Sequence, residues 1–174
     1  MILKGEKIYL KEGLREADYE LILKGYTDLS VVGFVSFAKK SVELKTVAEA
    51  KKFFHEIEPE IVFGIYNSDD KFIGYTSLEK IEDDEYEFSV LILNKDYWGK
   101  GIGEEASRMT LNYAFNDLGA KKVVLYTSEF HDKAIALYER MGFQKTKTIP
   151  NDREIYMNGQ WIKSGTVEME KISN

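Results

Sequence analysis

The run Trp98-Gly99-Lys100-Gly101-Ile102-Gly103-Glu104 joins an apolar strand-like stretch, VLIL at 90–93, to a long helical pattern. Glycines let the backbone turn tightly and leave its N–H groups unobstructed. A helix start adds unpaired N–H donors and a partial positive charge, so loop and helix together suit a phosphate or pyrophosphate. Lys100 adds a mobile positive charge. A dinucleotide fingerprint needs G-x-G-x-x-G after a first strand, whereas this chain has G-x-G-x-G after a fourth. The G-x-x-x-x-G-K-[ST] loop is absent. Two readings remain: a connecting turn, or a loop for a different phosphate-bearing ligand.

Outward from the loop, strands and helices follow from periodicity. Upstream, EKIYLKE (6–12) alternates as a strand does, and READYELILK (15–24) has helical spacing ending at Gly25. Thr46 and Glu49 form an S/T-x-x-E capping box opening VAEAKKFFHEIE, which stops before Pro59. Three strand-like runs follow: IVFGIYN, KFIGYTSLEKI after the Asp69-Asp70 turn, and EYEFSVLIL after the acidic turn 82–85. Downstream, a helix is predicted from about 102 to 118, then the strand KKVVLYTS and the helix DKAIALYERM, capped by Gly142. A hairpin, REIYMNGQWIKSGTVEME, turns at Asn158-Gly159, a strong two-residue turn signal. The predicted order is β-α-α-β-β-β-α-β-α-β-β, an α/β (α+β) fold with a mixed, mostly antiparallel sheet and helices on both faces.

The loop is followed, after the strand KKVVLYTS, by HDKAIALYERMGF at 131–143. The two stretches together resemble the GNAT superfamily of N-acetyltransferases, with its Q/R-x-x-G-x-G/A loop and its N-x-x-A-x-x-x-Y-x-x-x-G-F element. The motifs span about 61–143, and the looser likeness covers the whole chain. LNKDYWGKGIGEEA and the NGQW hairpin look like the branch containing ribosomal-protein N-terminal acetyltransferases, with spermidine N-acetyltransferases as close relatives. The resemblance implies acetyl-CoA as cosubstrate, its pyrophosphate held by Trp98, Gly99, Lys100, Gly101, Ile102, Gly103 and Glu104, with His131 and Lys133 also toward the cofactor. It implies that the pantetheine arm inserts between strands ending near Leu93 and Thr127. Backbone groups of Leu91, Ile92 and Leu93 would then bind pantetheine and polarise the thioester carbonyl. Two positions depart from the pattern: Trp98 replaces Gln or Arg, and His131 replaces Asn.

Amide formation from a thioester needs a neutral amine, a polarised carbonyl and a proton for the departing thiolate. Tyr138 matches the superfamily's tyrosine general acid, and a phenol of pKa ~10 is protonated at pH 7. An alkylamine of pKa ~10.4 is neutral in roughly one molecule per thousand at pH 7, whereas a peptide α-amine of pKa ~7.7–8 is far closer to neutrality. Glu87 occupies the site of the branch's strand glutamate and is the expected base, directly or through water. The competing reading places it among the solvated carboxylates Glu82, Asp83, Asp84 and Glu85. His55, in a charged helix, reads as a surface side chain. Tyr26, Phe34 and Phe37 line an acceptor groove or the core. Tyr156 and Trp161 border that groove or a homodimer contact.

The 174 residues suit one domain, 1–174, able to bury about two-thirds of its unfolded surface. The absence of cysteine excludes disulfides, Cys-ligated zinc and a thiol nucleophile; with only His55 and His131 a His-built metal site is not expected, and no metal is implied. The lack of cysteine suits a reducing cytoplasm, the expected location. The first residues alternate charge with apolar side chains, unlike a signal peptide, and no apolar run approaches the ~18–20 residues that span a bilayer. A net charge of −6 argues against nucleic-acid binding and fits a cationic substrate. The expected acceptor is an amine-bearing peptide or protein N-terminus. Polyamine and amino-sugar acceptors are alternatives, and a non-catalytic acyl-CoA sensor is the competitor from another class.

Overall fold

The computed structural model describes residues 1–174. The chain runs β1 (Ile2–Lys4), β2 (Ile8–Glu12), α1 (Tyr19–Tyr26), α2 (Leu29–Val32), α3 (Ala38–Ser41), α4 (Val47–Ile57), β3 (Ile61–Asn67), β4 (Phe72–Glu82) and β5 (Glu85–Ile92). It continues as α5 (Ile102–Asn112), β6 (Lys122–Ser128), α6 (Asp132–Arg140), β7 (Gln144–Met157) and β8 (Gln160–Ile172). One eight-stranded sheet has the order β1-β2-β3-β4-β5-β6-β8-β7. Every neighbouring pair is antiparallel except β5 and β6.

Where local chemistry is strong, the expected elements form. The Glu49 N–H donates to Thr46 Oγ1 at 3.1 Å, and Glu49 Oε2 accepts from the backbone of Lys45 and Thr46. Thr46→Ala removes half of that box and is expected to lower stability by about 1 kcal/mol, measured as a urea midpoint shift at constant m-value. Asn158 and Gly159 both take positive φ, 54° and 80°, as the tight hairpin turn requires.

Other elements differ from expectation. α1 starts at Tyr19, after a 3₁₀ turn at Glu16–Asp18, and runs through Gly25. Gly25 is a site of close approach: a Cβ there would lie 2.5 Å from Leu93 Cδ2. The helix predicted to run to about 118 is α-helical only to Asn112, and a π-helical stretch covers Tyr113–Asp117. β7 begins at Gln144, well before the expected 153.

Apolar side chains divide between the two sheet faces. α1 to α4 cover one, where Tyr19, Ile22, Tyr26 and Phe54 pack on Tyr66, Tyr75 and Leu93. α5 and α6 cover the other, where Leu111, Ile135 and Tyr138 meet Phe88, Val123 and Leu125. No helix is long and apolar enough to cross a membrane. The parallel β5–β6 ladder holds only Glu85–Glu87 against Lys122–Val124. Beyond it each strand keeps its outer antiparallel neighbour, β5 as far as Gly74↔Ile92 and β6 as far as Ser128↔Thr166. A gap opens in the middle of the sheet.

Candidate active site

Beyond the short parallel ladder, peptide groups on the β5 edge face the gap rather than a neighbouring strand. The Leu93 N–H donates to the Ile73 carbonyl at 3.0 Å. Two-residue alternation then directs the Leu91 backbone to β4 as well, and turns the peptide groups of Val90 and Ile92 toward the gap. Of the expected Leu91, Ile92 and Leu93, Ile92 thus presents its backbone there, joined by Val90. The side chains of Leu91 and Leu93 pack against the α1–α4 cluster.

At the top of the gap the glycine loop turns into α5. Gly99 and Gly101 sit at φ 71° and 77°. The consecutive N–H groups from Gly99 to Glu104 make no hydrogen bond within the protein; the first bonded one is Glu105, which donates to the Gly101 carbonyl. Trp98 Nε1 donates to the Ile92 carbonyl at 3.0 Å, fixing the loop against the β5 edge. Ile102 is a core side chain, and the Glu104 carboxylate pairs with Arg108 at 2.7 Å and Arg140 at 3.5 Å, so both offer the loop only their N–H groups. Lys100 Nζ lies 5.5 Å from the Tyr97 ring centroid. A second lysine, absent from the sequence expectation, arrives from the β1–β2 turn: Lys7 Nζ donates to the Lys100 carbonyl at 3.0 Å. Lys133 is exposed on the first turn of α6.

Below the loop the gap widens into a cleft of ≈ 260 Å³ lined from both sheet edges, by Val90 and Leu91 on β5 and Leu125 to Thr127 on β6. Tyr138 enters it from α6, packed edge-on to Phe143 at 5.9 Å. Only 8 % of Tyr138 is exposed, its hydroxyl has no protein partner, and burial pushes the phenol up to about 12. Glu58, Glu79 and Glu87 line the same cleft, and none of them forms an ion pair. The neighbouring Asp83, Asp84 and Glu85 are by contrast bound to Lys80, Lys121 and Lys122. Glu79 and Glu87 are direct cross-strand partners. Like charges so placed repel. Burial first, then the carboxylates of Glu79 and Glu58, raises the Glu87 pKa.

On the far wall His131 begins α6 and stacks on Phe34, ring centroids 4.5 Å apart. Burial, then the Arg153 charge, lowers its pKa and keeps the imidazole neutral. Arg153 of β7 donates to Thr166 Oγ1 at 2.9 Å and to the Phe34 carbonyl at 3.2 Å. Phe34 and Phe37 line the cleft, whereas Tyr26 is wholly buried. The Tyr156 N–H donates to the Gly33 carbonyl, and Lys39 sits over Trp161, so the terminal hairpin braces the segment that carries Phe34. His55 is bonded to the Tyr19 hydroxyl at 3.0 Å.

Residues 10–144 match the family described as the acetyltransferase (GNAT) domain. The chain belongs to the GNAT acetyltransferase family. It is 33 % identical over 98 residues to a mycothiol acetyltransferase of Corynebacterium efficiens, a match covering 56 % of this chain and 31 % of that protein. It is 31 % identical over 71 residues to spermidine N(1)-acetyltransferase of Escherichia coli K12, covering 41 % and 37 %. The chain thus aligns with only about a third of the length of each of these relatives. The solved structure of the Vibrio cholerae spermidine N-acetyltransferase, in complex with CoA and spermine, superposes with a TM-score of 0.79 at 18 % identity, covering 97 % of this chain and 96 % of that one.

GNAT acetyltransferases use acetyl-CoA, and the residues here suit it. Unbonded N–H groups at a helix start match a diphosphate. The open edge of β5 offers peptide groups to an amide-bearing arm. The Trp98 departure leaves the loop's backbone donors intact, since the indole bonds Ile92 instead. The His131 departure places an imidazole on the cleft wall, stacked against Phe34.

Proposed function

We propose that this GNAT chain transfers the acetyl group of acetyl-CoA to a primary amine of a small polycationic acceptor of the polyamine class. The observation that carries the reading is the cleft itself. An unpartnered phenol, Tyr138, and three unpaired carboxylates, Glu58, Glu79 and Glu87, converge where the two sheet edges part. The N–H groups from Gly99 to Glu104 hold the diphosphate, and the Val90 and Ile92 peptide groups align the arm that ends in the thioester. The carboxylates hold the ammonium groups of the acceptor, and Tyr138 supplies the proton to the leaving sulfur. A peptide N-terminus, the acceptor expected from the branch resemblance, carries one ammonium at its reacting end. Three carboxylates are complementary to a ligand with several.

Thiol release from acetyl-CoA tests this against spermidine, N-terminal peptides and amino sugars. Spermidine is expected to saturate the enzyme at roughly sub-millimolar concentration, within the ordinary range of KM. Turnover with peptides and none with spermidine would overturn the acceptor assignment. Acetyl-CoA binding without turnover on any amine would favour the sensor reading.

A further inference from the structure

Two buried phenols lead from the core to the cleft. The Tyr26 and Tyr75 hydroxyls lie 2.6 Å apart, and the Tyr75 hydroxyl donates to Glu58 Oε1 at 2.7 Å. A carboxylate only accepts, so Tyr75 must donate to Glu58, and Tyr26 must donate to Tyr75. The chain has one polarity and ends on a carboxylate that faces the cleft. Both rings are essentially inaccessible, at 0 % and 1 % exposure. Phenylalanine at either position would fill nearly the same space without a hydroxyl to satisfy, so packing alone does not account for the two phenols. Their effect is to pin Glu58 Oε1 while the residue lines the cleft.

We propose that Glu58 takes the proton from the bound ammonium, with Tyr75 and Tyr26 as its positioning residues. The assignment rests on the transferase reading above and deepens it. Glu79 is exposed and its carboxylate well solvated. Glu87 has no oriented donor and lies between Glu79 and Arg153. Those two hold the acceptor's charge, and Glu58 removes its proton. In the step, Glu58 accepts H⁺ from R–NH₃⁺, and the freed amine forms the N–C bond to the acetyl carbon. The C–S bond breaks, the sulfur takes the Tyr138 proton, and the proton shed by nitrogen returns through water to the phenolate. Glu58 then gives its proton to solvent.

Tyr75 on β4 bonds Glu58 directly, and the charged and titratable groups sharing its cleft are Glu79 on β4, Glu87 on β5, Tyr126 on β6, His131 and Tyr138 at α6 and Arg153 on β7. Burial first, and the Glu79 charge in smaller part, raise the Glu58 pKa, while hydrogen bonds from Tyr75 and then Ser77 hold it down. The base is active above that pKa, so kcat falls as pH drops through it. Removing the Tyr75 hydroxyl lets the pKa climb further, and the acid limb moves to higher pH.

The experiment is kcat against pH with spermidine for wild type, Glu58→Gln, Tyr75→Phe and Glu87→Gln, each checked by thermal melting. Glu58→Gln is expected to lower kcat roughly 10²–10⁴-fold and abolish the acid limb. Tyr75→Phe is expected to shift the limb up by about one pH unit, the worth of one hydrogen bond to a charged group. Glu87→Gln is expected to raise the KM for spermidine and keep the limb. A limb that survives in Glu58→Gln, or vanishes in Glu87→Gln, overturns the assignment while leaving the transferase reading intact. No turnover by wild type on any amine overturns both. If Glu58→Gln does not fold, the Tyr75→Phe shift decides: an unmoved limb rejects the role.

Discussion

Tyr138→Phe is expected to lower kcat roughly 10²–10⁴-fold while leaving the dissociation constant of acetyl-CoA within a factor of about two, the range of a lost general acid rather than a lost binding group. The substitution removes one oxygen that bonds nothing in the protein. The ring stays packed against Phe143 and the β6 side chains, so stability should hardly change. The N–H groups proposed to hold the diphosphate are those of Gly99 to Glu104, on the loop and the start of α5, and none belongs to this residue. Burial pushes the phenol up to about 12, which keeps it protonated across the working range. The same apolar wall disfavours a free thiolate emerging beside it, so donor and acceptor of the proton are raised together. No basic limb from Tyr138 is therefore expected between pH 7 and about 9. Single-turnover thiol release and calorimetric titration of acetyl-CoA separate the two quantities. Equal loss of turnover and affinity would reduce Tyr138 to a packing residue.

Short-range chemistry made much of this molecule readable. The capping box at Thr46, the Asn158-Gly159 turn and the glycine loop each encode a local geometry within a few residues, and each forms. β1 is three residues long and α2 and α3 are four each, too short for any periodic signal. The first half of β7, QKTKTIP, is exposed at the sheet edge, so no apolar alternation marks it. The glycine loop is contiguous, and its geometry was legible. The cleft is not, because residues 58, 79, 87, 131, 138 and 153 come from five separate segments of the chain, 131 and 138 both at α6, and the segments meet only through strand order. Glu87 and Tyr138 were reached through motif position. Glu79 was within reach too, since the hairpin through the acidic turn sets it opposite Glu87. Glu58 carries no such mark: beside Pro59 it reads as a helix end, and only Tyr75 and Tyr26, distant in the chain, distinguish it. Lys7 is hidden for the same reason, since a turn far upstream delivers it to the loop.

The geometry of the gap depends on how closely β4 approaches β5, and Gly74→Ala is expected to destabilise the fold by roughly 2–4 kcal/mol, the cost of overpacking against groups that cannot step aside. A Cβ at Gly74 would stand 2.2 Å from the Leu91 carbonyl oxygen and 2.9 Å from Ile92 Cα. Both neighbours are backbone, so no rotamer change relieves the clash. Relief requires β5 to withdraw from β4 at its last ladder position, Gly74↔Ile92. That movement carries the Val90 and Ile92 peptide groups out of place and disturbs the Ile92 carbonyl to which Trp98 is tied. Acetyl-CoA affinity should fall together with stability, although residue 74 is not expected to touch the ligand. Gly119→Ala is the matched control: Gly119 has φ 71° and nothing within 4 Å of a Cβ, so its cost is the left-handed backbone alone. That is about 1–2 kcal/mol, with affinity unchanged. Urea unfolding of both variants, with calorimetric titration of acetyl-CoA, tests the coupling. A Gly74→Ala protein as stable as Gly119→Ala, binding acetyl-CoA normally, would show that β5 yields at this point without disturbing the gap.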